Sequence, residues 1–435
     1  MKLNYKRTLL IGFAFLSICA FWQFYDNEIP KILKYTFGLG ETATGAVMAM
    51  DNILALFMLP FFGMLSDKTN TKLGKRMPYI ITGTVLSIAF LYILIAVAKQ
   101  SGSLLIFIGV LLLLLISMGI FRSPAVSLMP DLTPAPVRSS ANAIINLMGT
   151  LGGIYVLVMT KILLKEAANP ADTDYMPFTI SVIICMAVGI GILVLAIKEN
   201  AIKKKIKEEG GLFSLGDSLE EEDSDSKDKG AMPKAVEKSL IFLLISVFLW
   251  YTAYNAVTTA FSRFVVEVWD LRNGAYATCL LVATVAATLS YVPIAYISGK
   301  IGRKKTILAG VTIMALGYIS AGLFRNFSPL INICFIMVGI GWAAINVNSY
   351  PMVVEMCKEG DIGKFTGMYY TFSMAAQVFT PIFSGFLLEH ISYKTLFPYA
   401  FIFSVLAFIT MLMVRHGDTR PDKKKSILEN FDIDD

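Results

Sequence analysis

Polar side chains interrupt the first long apolar segment and are the clearest candidates for chemistry in this sequence. Trp22 and Asp26 are four residues apart, as are Gln23 and Asn27, so a helix would bring each pair together on one face. An indole can cover the C–H face of a sugar ring, while amides and carboxylates can pair with its hydroxyl groups. These residues predict a cavity that binds a polar, ring-shaped molecule, whereas Glu28 is expected at the outer rim.

Asp51, inside the second apolar segment, is a candidate proton carrier. A charged side chain at mid-bilayer costs about 2.5–3.5 kcal/mol on insertion scales, so its presence needs a reason. A carboxylate without an obvious partner in its own helix can be neutral when dry and ionised when wet, which proton carriage requires. Asp26 is a second candidate carrier, and Asn52 is a candidate ligand contact. The alternative is that Asp51 only anchors neighbouring helices through a hydrogen bond.

Arg122, near the end of the fourth apolar segment, is a third candidate for proton coupling and has two interpretations. Its guanidinium could pair with a carboxylate or a substrate oxygen, or it could reach back to the membrane surface. Other candidate binding residues are amides and aromatics of later segments, although any single amide can equally be a contact between helices. These candidates are Asn142, Asn146, Trp250, Tyr251, Tyr254, Asn255, Trp342, Asn346 and Gln377.

The segments that carry these residues are too apolar for a soluble protein. Of 435 residues, 56% are hydrophobic and 16% are charged, whereas soluble proteins average about 45–50% and about 25%. A membrane-spanning helix needs about 20 apolar residues. The sequence predicts an all-α polytopic membrane protein with twelve such helices, at 8–33, 42–65, 78–98, 103–124, 140–164, 177–197, 239–261, 275–298, 306–324, 329–351, 365–388 and 396–414.

The distribution of basic residues predicts the orientation of these segments. With the N-terminus inside, 29 of the 38 Lys and Arg residues lie in the inner loops and termini or beside them. Positive residues concentrate on the cytoplasmic side of membranes, so both termini are expected to be cytoplasmic. The net charge of +6 is then an orientation signal, and we expect no nucleic-acid partner. The five cysteines show no metal-ligand spacing and are expected to be apolar fillers.

The chain divides into two six-helix halves. We expect an N-terminal bundle at 1–197, a mobile cytoplasmic linker at 198–238 with a short helix in its basic part, a C-terminal bundle at 239–414 and a cytoplasmic tail at 415–435. The polar, charged linker is too poor in apolar residues to pack a core. A solubilising tether is favoured over a regulatory role.

Short matches at one offset support duplication of the two halves. Trp22 and Asn27 are matched by Trp250 and Asn255, 228 residues later. The sequence Gly74-Lys75-Arg76 is matched at the same offset by Gly302-Arg303-Lys304. Two pseudo-symmetric halves around a central site are typical of transporters that work by alternating access.

The loop after the second segment carries a signature. It reads Gly63-Met64-Leu65-Ser66-Asp67-Lys68 and continues as Thr71-Lys72-Leu73-Gly74-Lys75-Arg76-Met77-Pro78. This resembles the signature loop of the major facilitator superfamily. Its longer form, with four extra residues before Gly-Lys-Arg, resembles the glycoside–pentoside–hexuronide:cation symporter group, in particular its sucrose-transporter-like branch. The likeness continues through Ser123-Pro124, Met129-Pro130-Asp131-Leu132, Arg138, Ala141-Asn142-Ala143, Gly149, Gly152 and Gly153.

The resemblance implies proton- or sodium-driven symport of a sugar or glycoside, a bacterial plasma (inner) membrane and no enzymatic activity. It also implies gating or structural roles on the cytoplasmic side, although topology marking explains the basic members equally well. The residues concerned are Asp67, Gly74, Lys75, Arg76, Asp131, Arg138, Gly302 and Arg303.

The second segment departs from the melibiose-carrier branch of that group. There, two acidic residues close to a proline hold the coupling cation, whereas here Leu56-Phe57-Met58-Leu59 precedes Pro60 and the only carboxylate is Asp51. We therefore expect protons as the coupling ion, with sodium as the alternative, and no bound cofactor.

Two other functions stay open at this point. One is a proton-driven efflux antiporter of the same superfamily, although Gly149-Thr150-Leu151-Gly152-Gly153 lacks the proline of the efflux signature. The other is a membrane sensor that binds sugar without carrying it. The expected partners are a di- or small oligosaccharide and the lipid bilayer, and we expect a monomer.

Overall fold

The structure, a computed structural model, describes residues 3–100, 103–133, 137–209, 233–356 and 362–418. Backbone groups in lipid must pair within their own segment, which favours helices. Within the described residues, twelve helices are long and apolar enough to cross a membrane, which confirms the predicted fold class. They are α1 (Tyr5–Lys31), α2 (Glu41–Asp67), α3 (Met77–Lys99), α4 (Leu104–Asp131), α5 (Arg138–Leu163), α6 (Met176–Ala196), α7 (Lys234–Trp269), α8 (Tyr276–Ile301), α9 (Arg303–Gly322), α10 (Ile331–Val354), α11 (Ile362–His390) and α12 (Leu396–Leu412).

Several helices extend beyond the apolar segments that predict them. The largest difference is α7, which has 36 residues and ends where Asp270 takes a left-handed conformation with φ of 50°. A π-helical turn, Ile32–Thr36, continues α1. The apolar run marks only the part of a helix that matches the bilayer, so polar turns at both ends escape it.

The buried apolar side chains form two main clusters. One is built from α1–α6, and the other from α7–α12 with Leu157 of α5. A third, smaller cluster lies between α8 and α10. The halves meet through α1 against α7, α2 against α11 and α5 against α8. A Cβ at Gly45 would lie 2.0 Å from the carbonyl oxygen of Pro381, so glycine permits the close approach of α2 and α11.

The helix ends define two faces of the bundle. The terminal face holds the start of α1, the start of α7 and the end of α12, and the far face holds the opposite helix ends. A linker helix, Glu199–Glu209, follows α6 on the terminal face, in the basic part of the linker as predicted. The rest of the predicted linker up to 232 lies outside the described residues.

The cysteines that the structure describes agree with their predicted role. Cys279 and Cys334 are buried, and Cys19 and Cys185 are partly buried. Cys357 lies outside the described residues.

Candidate functional site

A cavity of about 240 Å³ lies between the two halves near the middle of the helices. This approaches the roughly 300–1,000 Å³ of typical small-molecule sites. Five helices supply its walls, three from the N-terminal half and two from the C-terminal half. The lining residues are Trp22 and Asp26 of α1, Met48, Asp51 and Asn52 of α2, Arg122 of α4, Asn255, Thr258 and Thr259 of α7, and Gln377 and Pro381 of α11.

Among the described residues, the ionisable groups that line the cavity come from the N-terminal half. Asp26 and Asp51 interact electrostatically with each other and with Arg122. The Arg122 guanidinium lies 5.6 Å from the centre of the Trp22 ring, a cation–π arrangement. Arg122 therefore faces the cavity and does not reach back to the membrane surface.

Asp51 has a partner in its own helix, which corrects the sequence-based expectation. The backbone N–H and side-chain amide of Asn52 donate to Asp51 Oδ1 over 2.6 and 2.7 Å. Adjacent helical residues do not normally face each other, so the spacing gave no sign of this pair. Asn52 also lines the cavity, so one residue both supports Asp51 and can meet a ligand.

The cavity combines predicted and unpredicted residues. Seven predicted residues line it: Trp22, Asp26, Asp51, Asn52, Arg122, Asn255 and Gln377. Thr258 also lines the cavity, and sequence reasoning missed Thr259, although Thr259 follows Asn255 by four positions and shares its helix face. Met48 and Pro381 were missed as well, because ordinary apolar residues carry no chemical signal.

The other predicted binding residues lie outside the lining of this cavity. Trp250 is completely buried, so it supports the fold in this conformation. Tyr254 stacks on Trp342, with ring centres 3.7 Å apart. The side-chain amide of Asn27 donates to the carbonyl oxygen of Gln23 over 2.8 Å. The remaining members of this set are Asn142, Asn146, Tyr251 and Asn346, and binding roles for the whole set stay predictions.

A buried ion pair joins the halves at the far face. Arg263 Nε of α7 lies 2.9 Å from Glu41 Oε2 of α2, and both side chains are almost fully buried. Lys34 Nζ lies 3.4 Å from Glu41 Oε1 and 2.6 Å from Glu267 Oε1, and Tyr393 donates to Glu41. We call these five residues the far-face latch. Arg263 also donates to the carbonyl oxygen of Thr259, a cavity residue, so the latch and the cavity share one turn of α7.

A second group of charges closes the far face beside the latch. Lys31 lies 2.7 Å from both Glu28 and Glu166, and Tyr276 of α8 donates to Glu28. The backbone N–H of Asn273 donates to Glu166 over 2.8 Å. Glu28 is therefore buried, paired with Lys31 of its own helix and bound to Tyr276 of the other half, which corrects its expected place at an exposed rim. Together the two groups hold the halves together on the far side of the cavity.

On the terminal face, four of the predicted loop charges come together. Arg76 pairs with Asp67 and with Asp131, its Nε lying 2.9 Å from Asp131 Oδ2. Lys75 lies 3.3 Å from Asp67 and 3.6 Å from Asp131. Arg138 lies apart from this cluster and donates to the carbonyl oxygen of Thr133. The cluster joins the ends of α2, α3 and α4 within one half.

Glu199 of the linker helix accepts hydrogen bonds from the backbone of this loop, and sequence reasoning missed it. Its carboxylate is fully buried and accepts from the backbone N–H groups of Lys75, Arg76 and Met77 at 3.0–3.2 Å. These groups begin α3, where a helix leaves its N–H groups unpaired and favours negative charge. Gly74 has φ of 117°, which glycine adopts readily and which leaves room for the carboxylate.

The C-terminal half repeats this arrangement. Asp418, after α12, accepts from the backbone N–H of Lys304 at 2.8 Å, and Gly302 has φ of 95°. Arg303 pairs with Glu355 at the end of α10 over 2.6 Å, as Arg76 pairs with Asp131 at the end of α4. The predicted relation between the two basic loops thus extends to their acidic partners.

Comparison with known proteins places the chain in a family. The model of the Major Facilitator Superfamily matches residues 10–290 and 243–431. The isoprimeverose transporter of Lactiplantibacillus pentosus is 22% identical over 366 residues, covering 81% of this chain and 70% of that protein. The sucrose transport protein SUC3 of Arabidopsis thaliana is 26% identical over 173 residues, 35% of this chain and 28% of that protein. The chloramphenicol resistance protein CraA of Acinetobacter baumannii is 26% identical over 113 residues, 26% of this chain and 27% of that protein.

Solved structures share the fold at low sequence identity. The inward-open xylose transporter XylE from E. coli has a TM-score of 0.70 and 16% identity, covering 98% of this chain and 99% of that one. The nucleoside transporter NupG has a TM-score of 0.66 and 15% identity, covering 94% of this chain and all of that one. The matches also confirm the resemblance first drawn from the loop after α2. The chain is a membrane transporter, not an enzyme, and it belongs to the Major Facilitator Superfamily.

Proposed function

We propose that this protein carries a sugar, a di- or small oligosaccharide or a glycoside, together with protons by alternating access. One observation carries the proposal: a single cavity between the halves contains two carboxylates, a guanidinium, an indole and neutral polar groups from both halves. A molecule bound there would contact both halves at once, so its binding can be coupled to their relative movement.

The neutral groups of the cavity favour a sugar as the substrate. Asn255, Thr258, Thr259 and Gln377 offer both donors and acceptors, as hydroxyl groups require. Trp22 offers the aromatic surface that the C–H face of a pyranose or furanose can cover. The names of two relatives, an isoprimeverose transporter and a sucrose transport protein, point to the same class.

The two carboxylates favour protons as the coupling ion. Asp26 and Asp51 interact with each other and with Arg122 inside one cavity. Placing two negative charges close together in a poorly hydrated space is unfavourable, so uptake of a proton relieves repulsion. Access of water to the cavity would then exchange protons with one side of the membrane at a time.

The contacts between the halves on the far face favour one stage of the transport cycle for this conformation. Buried charges close the cavity on the far side. With the terminal face in the cytoplasm of a plasma (inner) membrane, as the basic residues predict, this conformation releases substrate inward. The far-face latch would break when the protein opens outward.

Uptake into proteoliposomes tests the proposal. Labelled isoprimeverose and sucrose are offered with an imposed pH gradient, an imposed sodium gradient or neither. We expect accumulation driven by the pH gradient. Accumulation driven by the sodium gradient alone would show that sodium, not the proton, is the coupling ion. Export of chloramphenicol without sugar flux would favour an efflux antiporter. Sugar binding without flux would favour a sensor.

Two variants test the coupling residues. Asp51→Asn and Asp26→Asn should each abolish accumulation, because a neutral amide cannot carry a proton. At least one should keep sugar exchange at equal pH, since exchange needs no net proton movement. Asp172→Asn, at a position on the exposed far-face loop before α6, is the control and should accumulate normally. Normal accumulation by both cavity variants would refute the assignment.

A further inference from the structure

Tyr25 carries a hydroxyl group that the fold does not explain. Its side chain is completely buried in α1, and its hydroxyl finds no hydrogen-bond partner among the described residues. A buried hydroxyl without a partner destabilises a protein, because it loses its hydrogen bonds to water and gains none. Phe21 and Phe24, its buried neighbours on the same helix, show that phenylalanine is accommodated in this core. Packing alone therefore does not explain why this residue is a tyrosine and not a phenylalanine.

The surroundings of Tyr25 connect it to the cavity. Its ring contacts Trp22 edge-on with ring centres 5.3 Å apart, and Trp22 lines the cavity. The charged groups that line the cavity together with Trp22 are Asp26 on α1, Asp51 on α2 and Arg122 on α4. The hydroxyl lies within electrostatic range of both carboxylates.

Only one carboxylate oxygen of Asp51 accepts hydrogen bonds within the described part of the chain. Both donors from Asn52 go to Asp51 Oδ1, so within the described part of the chain Oδ2 has no hydrogen-bond donor. An ionised carboxylate in a poorly hydrated site needs donors on both oxygens. Tyr25 supplies a buried donor without an acceptor, and Asp51 supplies an acceptor without a donor.

We propose that Tyr25 is a positioning residue for proton coupling, whose hydroxyl donates a hydrogen bond to Asp51 Oδ2 when Asp51 is ionised. The hydroxyl is released when Asp51 takes up a proton, which is the state in which Tyr25 has no partner. This role rests on the proposed function, because it requires Asp51 to change its protonation state. It adds a residue that stabilises the ionised form without touching the substrate.

Trp22 provides a readout that needs no substrate. Its indole lies beside Asp26, Arg122 and the ring of Tyr25, so its fluorescence should respond to ionisation in the cavity. The protein is reconstituted in nanodiscs and its tryptophan emission is recorded as the pH is varied. Subtracting the Trp22→Phe variant removes the signals of the other three tryptophans.

Tyr25→Phe should move the midpoint of this transition to higher pH. A hydrogen bond to a charged group is strong enough to account for a shift of about one to two pH units. The thermal stability of Tyr25→Phe should be unchanged or higher, because an unpaired buried hydroxyl is removed. Tyr318→Phe is the matched control: Tyr318 is also buried with no hydrogen-bond partner in the described structure, but it lies in the other half. It should leave the midpoint unchanged.

The outcomes separate this inference from the proposed function. A transition that disappears in Asp51→Asn but keeps its midpoint in Tyr25→Phe would overturn the role of Tyr25 and leave proton coupling intact. A transition that keeps its full amplitude and midpoint in Asp51→Asn, or is absent from the unmodified protein, would remove Asp51 as the carrier and the role of Tyr25 with it. A shifted midpoint in Tyr318→Phe would show a nonspecific effect and would also count against Tyr25.

Discussion

The far-face latch predicts how a single substitution should change the conformational balance. Arg263→Gln removes the guanidinium that lies 2.9 Å from Glu41 while keeping a side chain of similar length. Glu41 then stays buried with its main partner lost. Since Arg263 and Glu41 belong to different halves, the loss weakens the closed far face without touching the core of either half.

The free-energy cost of Arg263→Gln depends on the partners that Glu41 keeps. Removing one member of a buried ion pair typically costs about 3–5 kcal/mol. Lys34 still lies 3.4 Å from Glu41, and Tyr393 still donates to it, so part of the charge stays compensated. We therefore expect about 2 kcal/mol against the closed far face, which corresponds to roughly a 30-fold change in the balance of the two conformations.

Cysteine labelling measures this balance. Met48 lines the cavity and is only 5% exposed, so a cysteine there is protected from the far side while the latch is closed. In a protein with its five native cysteines replaced by alanine, Met48→Cys is treated from the far side with a membrane-impermeant maleimide. The labelling rate should rise about 30-fold when Arg263→Gln is added, because far-side access requires opening.

An exposed ion pair on the same face provides the control. Lys99 and Asp174 are 2.6 Å apart, but their side chains are 55% and 44% exposed and both belong to the N-terminal half. Exposed pairs contribute about 0–1 kcal/mol, so Lys99→Gln should leave the labelling rate unchanged. Equal labelling rates in Arg263→Gln and the parent protein would refute the latch. A rise of the same size in Lys99→Gln would show that the assay reports general loosening.

Four further substitutions test the terminal-face loop after α2 and the two tryptophans Trp22 and Trp250. Glu199→Ala should lower the free energy of unfolding by about 1–3 kcal/mol because it leaves the buried N–H groups of the loop without an acceptor, and an unchanged melting temperature in nanodiscs would contradict this. Gly74→Ala should be destabilising in the same assay, since its Cβ would meet Glu199 at 2.2 Å and its φ is positive, whereas Gly109→Ala meets nothing within 4 Å and should be neutral or stabilising. Trp22→Ala should weaken sugar binding, measured by calorimetry, by about 1–3 kcal/mol. Trp250→Ala should instead lower the free energy of unfolding by about 3–5 kcal/mol. Weakened sugar binding in Trp250→Ala with normal binding in Trp22→Ala would show that the sugar site lies elsewhere.

The number of helices and the position of the cavity could be predicted from the sequence because each depends on local signals. Apolar runs of sufficient length appear wherever a helix crosses lipid, and polar residues such as Asp51 are conspicuous within them. Seven of the eleven lining residues followed from one helix face of α1, from isolated amides and from the charged residues Asp51 and Arg122. Trp250 shows the limit of this logic: it matches Trp22 at the repeat offset, yet its side chain packs in the core of its own half and does not line the cavity.

The long-range charge pairs could not be predicted, because their members are far apart in sequence. Glu41 and Arg263 are 222 residues apart, and Glu199 is more than 120 residues from the loop it holds. One signal was nevertheless present. Lys31, Lys34 and Arg263 belong to the minority of basic residues on the outer side of the predicted topology, where position alone does not explain a positive charge.

The two halves have kept their terminal loops alike while their cavity-facing residues have diverged. The basic loop, its positive-φ glycine and its acidic partner occur in both halves. At the level of the cavity, the repeat offset aligns Asp26 with Tyr254, and Tyr254 stacks on Trp342 in place of lining the cavity. The rigid parts of each half therefore retain their common design, whereas charge has been confined to one wall of the cavity. A symmetric cavity with carboxylates on both walls would repel itself across the interface, so confining them to one half lets the other half close against a neutral substrate.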